Sequence, residues 1–85
     1  MRHIEGKPDI TYPTQWEYRI IGENQHRIEE IVGDIMHKAY LLELKNHSQK
    51  GRFVSMHLLT KVQDEHERDT IYAKLATHPE IKMVL

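Results

Sequence analysis

Cysteine is absent from the 85-residue chain. That excludes a disulfide scaffold, a thiolate zinc site and a cysteine nucleophile. Charge of one sign is also missing, since 12 Lys+Arg against 13 Asp+Glu leave a net charge of −1. A protein held to nucleic acid mainly by phosphate neutralisation needs a basic surplus or a basic face, so this balance argues against one. No apolar run approaches the roughly 20 residues of a membrane span, and the N-terminus carries no secretory apolar core. Together these features predict a soluble, cytoplasmic protein with no membrane partner. Glycine is scarce, at 4 residues, and none of them builds a phosphate-binding loop.

What remains is a composition of 39% hydrophobic and 29% charged residues, enough for one thin core under a solvated surface. Residues 1–15 read as an irregular leader, because Gly6, Pro8 and Pro13 interrupt any regular element. Ile10 and Tyr12 are expected to pack on the domain edge as an extended segment. Residues 16–85 form the single domain. Within it, Trp16-Glu17-Tyr18-Arg19-Ile20 alternates apolar and charged, the pattern of a half-buried strand, and Gly22 ends it.

Asn24 is the expected N-cap of a helix whose apolar face is Ile28, Ile31, Val32, Ile35, Met36 and Ala39. Gly33 inside that helix predicts close packing there, because glycine costs about 1 kcal/mol relative to alanine. A second strand follows with Leu42, Leu44, Asn46 and Ser48 on one side. A third carries Val54, Met56 and Leu58 on the matching side. Opposed residues of an antiparallel hairpin share a face, so Leu44 is paired with Met56 and Leu42 with Leu58. This register makes Gln49-Lys50-Gly51 the loop, with Glu43 opposite His57 and His47 opposite Phe53. Asp64 followed by Glu67 resembles a capping box. Arg68, Ile71, Tyr72, Leu75 and Ala76 mark the inner face of the second helix, and Pro79 closes it. Ile81, Met83 and Leu85 alternate with Lys82 and Val84 as the last strand.

The order strand, helix, strand, strand, helix, strand predicts an α+β, ferredoxin-like βαββαβ two-layer sandwich. Its four-stranded antiparallel sheet has the order 4-1-3-2, with both helices on one face. The uncovered face then carries Glu17, Arg19, Ile21, Glu43, Lys45, His47, Phe53, Ser55, His57, Leu59, Lys82 and Val84. Binding is assigned to Arg19, Ile21, Lys45, Phe53, His57, Leu59 and Val84, an apolar patch amid charges. A carboxylate of a small effector would meet Arg19 or Lys45, and its apolar parts Phe53 or Leu59. The same patch suits a protein partner or a weak homodimer.

Other chemistry finds little support. The seven histidines show no i, i+4 pair of the zinc-helix kind, so neither metal nor cofactor is expected. Ser48 and Ser55 lie in no nucleophile-elbow pattern, and no catalytic residue is assigned. RNA binding is the competing reading, because Lys50-Gly51-Arg52-Phe53-Val54 faintly echoes the third-strand signature of an RNA-recognition motif.

Four segments carry a resemblance: Tyr12-Pro13-Thr14, Trp16-Glu17-Tyr18-Arg19-Ile20-Ile21-Gly22, Ser48-Gln49-Lys50-Gly51 and Ile81-Lys82-Met83-Val84-Leu85. In order and spacing, from Ile10 to Leu85, they resemble the YbeD-like family of small bacterial proteins. The resemblance implies a ferredoxin-like fold and likeness to effector-binding regulatory domains of the ACT type. It also implies a proposed regulatory link to lipoate metabolism, and it supplies no catalytic residues.

Overall fold

A computed structural model describes residues 10–47 and 52–85. The elements are β1 (Thr14–Gly22), α1 (Gln25–Ile35), β2 (Tyr40–His47), β3 (Val54–Val62), α2 (Glu65–Ala76) and β4 (Ile81–Val84). They form one antiparallel sheet in the order β2-β3-β1-β4, with both helices on one face. This is the ferredoxin-like sandwich that the alternation and helical periods predict.

Local sequence accounts for the helix starts. Asn24 accepts the Arg27 N–H at 3.0 Å, and Asp64 accepts the Glu67 N–H at 2.8 Å. Glu67 completes its cap on the Gln63 N–H at 2.7 Å, one residue before Asp64. Helix α1 stops at Ile35, four residues short of the periodic reading, because Met36 turns to extended backbone. The next residues then serve the fold differently. The Lys38 ammonium donates to the Lys61 carbonyl at 2.7 Å and to the Glu67 carboxylate at 2.9 Å, tying the α1 exit to β3 and α2.

The core lies between the layers, where Tyr18, Ile20, Met56, Leu58 and Val62 of the sheet meet Ile28, Ile31, Val32, Ile71 and Leu75 of the helices. Thr60 is buried among these apolar groups because its hydroxyl donates to the Ala39 carbonyl at 3.0 Å. Tyr18 likewise donates its hydroxyl to the Arg68 carbonyl at 2.7 Å. Gly22 permits the close approach of α1: a Cβ there would lie 3.0 Å from Ile28 Cδ1.

Five sequence expectations are corrected. Strand β1 begins at Thr14, two residues before the expected start, whereas Tyr12 packs on the domain as expected, its hydroxyl 3.1 Å from Arg68 Nη1. Gly33 is exposed, and a Cβ there would meet only Tyr40 Oη at 3.7 Å, so no tight packing explains it. Tyr72 and Ala76 face outward, leaving Ile71 and Leu75 to anchor α2. On the β2–β3 pair the expected register holds from Leu42↔Leu58 through Leu44↔Met56, then an irregularity at Lys45 shifts it. His47 therefore opposes Val54 rather than Phe53. The proposed Gln49-Lys50-Gly51 loop lies outside the described residues.

The fifth correction concerns β4. Gly22 pairs with Ile81 while Ile21 pairs with Met83, so Lys82 is an extra residue that bulges out of the ladder. Strict alternation is broken, and Ile81 and Val84 both turn into the core. Val84, expected on the open face, is 5% exposed and opposes Ile20. Two core positions thus flank two outward ones, which a period of two cannot produce.

Candidate functional site

The helices cover only one side of the sheet, and all four strands place charged or apolar side chains on the other. The centre of that open face is His57 on β3, which opposes Arg19 of β1 and Glu43 of β2. Arg19 Nε donates to His57 Nε2 at 3.2 Å, and the Glu17 carboxylate lies against His57 Nδ1. Nε2 thus faces the Arg19 guanidinium and Nδ1 faces the Glu17 carboxylate. Both ring nitrogens are therefore engaged, and the imidazole is 15% exposed. Beside this chain, the Lys45 ammonium lies 3.2 Å from Glu43.

Apolar side chains flank the polar centre at two corners. At one, Leu41 opposes Leu59. At the other, Ile21 opposes Met83, and Leu85 continues the ladder by exchanging backbone hydrogen bonds of 3.0 and 2.8 Å with Arg19. Leu41, Met83 and Leu85 are 52%, 50% and 62% exposed, the three most exposed large apolar residues among those described. Phe53 sits just before β3, its ring centroid 5.9 Å from Arg52 Cζ and 5.9 Å from Lys82 Nζ.

Of the residues assigned from sequence, the fold brings together Arg19, Ile21, Lys45, Phe53, His57 and Leu59, and removes Val84 to the core. Sequence reasoning missed Leu41, Met83 and Leu85. Leu41 was findable, because the register that pairs Leu42 with Leu58 also sets Leu41 opposite Leu59. Met83 and Leu85 were hidden by the bulge at Lys82. Among the described residues, no group of three or more His, Cys, Asp or Glu is placed to hold a metal ion, and no helix is long and apolar enough to cross a membrane.

A ferredoxin-like domain with one bare sheet face is thus the class of protein that fold and surface define. Residues 7–85 match the family described as "Protein of unknown function (DUF493)", and the chain belongs to it. Its relatives are bacterial. A Helicobacter pylori strain J99 protein named "Uncharacterized protein" is 34% identical over 71 residues, covering 82% of this chain and 83% of its own. "Uncharacterized protein Cj0253" of Campylobacter jejuni is 32% identical over 73 residues, covering 85% and 84%. A solution structure of Helicobacter pylori HP0495 superposes with a TM-score of 0.81 at 28% identity, over 100% of this chain and 98% of that one. A second solution structure of HP0495 gives 0.68 at 29% identity, with both chains fully covered.

Proposed function

We propose that this chain is a non-enzymatic binding domain, a regulatory or adaptor module that docks a protein partner on its open sheet face. One observation carries the reading. The Glu17–His57–Arg19 chain crosses the centre of the face, and the exposed side chains of Leu41, Met83 and Leu85 flank it on both sides. The engaged imidazole lacks the free nitrogen that a general base would need. A protein surface fits better than a small effector, because the one cavity described on this face, at Glu17, Arg19 and Leu85, holds about 210 Å³. Small-molecule sites usually span about 300–1,000 Å³. With Glu17 and Glu43 set among Arg19, Lys45 and Lys82, the matching partner presents both signs of charge. The resemblance to YbeD-like and ACT-type domains supports the regulatory side of this reading.

The test uses the full chain as bait, with Leu41→Asp and Met83→Asp on the sheet face and Tyr72→Asp on the helical face. A partner held by wild type and Tyr72→Asp but lost by both sheet variants, then reproduced with purified components, is the expected result. Binding that survives both sheet substitutions overturns it. Sedimentation of the bait alone reports whether the partner is a second copy of the chain. A second reading, RNA binding, draws on Phe53 with Arg52 and Lys82 close to its ring, an aromatic and cationic pairing that suits base stacking. A steep loss of RNA affinity with salt would favour it, and Glu17 and Glu43 on the same face oppose it.

A further inference from the structure

The largest cavity described lies on the other side of the molecule. It is a groove of about 550 Å³ between the exit of α1 and the length of α2. That volume falls inside the range of small-molecule sites. Its apolar wall is the partly buried Ile35, with the outer edges of Met36 and Ile71, each 7% exposed. Along its rim run His66, Thr70 and Lys74, spaced i, i+4 and i+8 and therefore in one stripe of α2.

The groove is polarised along that stripe. At one end the acidic groups are already spent: Asp64 caps the Glu67 N–H, and Glu67 accepts from Gln63 and Lys38. The Gln63 N–H, and then Lys38, hold the Glu67 carboxyl below the usual carboxylate range. At the other end the Lys74 ammonium and the Thr70 hydroxyl make no hydrogen bond or ion pair with any described residue. Lys74 lies seven residues past Glu67, roughly 10 Å along the helix and about one Debye length away. The anions at the α2 start therefore do little to satisfy it.

We infer that this groove binds a small carboxylate with a compact apolar body. The carboxylate would sit on Lys74 and Thr70, and the apolar body would lie on Ile35, Met36 and Ile71. Lysine supplies the point charge and threonine a donor. The aliphatic wall rewards the rest of the ligand by removing it from water. This site is separate from the open sheet face and does not depend on its having a partner.

Amide chemical-shift titration of the full chain with benzoate, and with benzyl alcohol as the uncharged match, tests the inference. Benzoate is expected to give saturating shifts at 35–38 and 66–74, with benzyl alcohol ~10-fold weaker. Lys74→Met should weaken benzoate by a similar factor and leave benzyl alcohol unchanged. Lys74 is exposed, so the variant keeps its fold. Absent saturation, equal response to the two probes, an unchanged Lys74→Met, or shifts confined to the Arg19 face would each overturn it.

Discussion

Ile20 and Val84 face each other across β1 and β4 and are both sealed in the core, whereas their neighbours Ile21 and Met83 pair on the opposite side of the sheet. The bulge at Lys82 thus decides which side chains of the last strand hold the domain together and which stand exposed on the open face. Val84→Ala removes two buried carbons and should cost about 2 kcal/mol, from lost transfer energy and the cavity left behind. Met83→Ser removes a longer side chain and should change stability by no more than about 0.5 kcal/mol. Urea unfolding of the two variants measures the contrast, and equal losses would place Val84 on the surface.

Gly22 of β1 and Gly33 within α1 should respond to alanine with opposite signs. At Gly22 the new methyl would press on the Ile28 side chain, 3.0 Å from Cδ1 and 3.3 Å from Cγ1, so Gly22→Ala should destabilise by about 1–2 kcal/mol. At Gly33 it would make only ordinary contact with Tyr40, in an exposed helix interior. Gly33→Ala should therefore stabilise by up to about 1 kcal/mol. Chemical denaturation midpoints decide both signs.

Stability should fall at both ends of the pH scale for identifiable reasons. Glu67, bonded to Gln63 and Lys38, and Glu80, bonded to Arg27, are both held below the usual carboxylate value of 4.5. A depressed folded pKa gives stability that is complete above 4.5 and lost as pH falls through the lower folded value. Burial pushes the Tyr18 phenol from 10.0 up to about 12. A raised folded pKa gives stability that is complete below 10.0 and lost as pH rises towards 12. Tyr18→Phe should cost about 1 kcal/mol at neutral pH through the lost hydrogen bond to the Arg68 carbonyl, and should flatten the alkaline loss. Thermal melting across pH checks each limb.

Trp16 is the single tryptophan, and the Arg68 guanidinium lies 4.8 Å from its ring centroid. The same arginine donates to the Tyr12 hydroxyl, so it clasps the start of β1 onto α2. Arg68→Ala should expose the indole, shift its emission to the red and lower the melting temperature. Arg68→Lys should recover little of this, because a lysine lacks the flat fork that stacks and bonds at once. Unchanged emission in Arg68→Ala would remove the clasp from the account.

Much of this architecture can be read from neighbouring residues alone. The alternation of Trp16 to Ile20, the helical spacing of Ile28 to Met36 and the caps Asn24 and Asp64 state their elements within a few residues of chain. Those elements in that order leave one favourable handed arrangement, and opposing Leu44 to Met56 fixes the central register. Tertiary structure decided where regularity fails. The shift after Leu44, the outward step at Lys82 and the early end of α1 arise where strands and helices from distant parts of the chain must fit together. The face's chemistry is of the same kind. Glu17 and Arg19 meet His57 across some 40 positions of sequence only because two strands pair, and a periodic reading registers the direction of a side chain but not its neighbour.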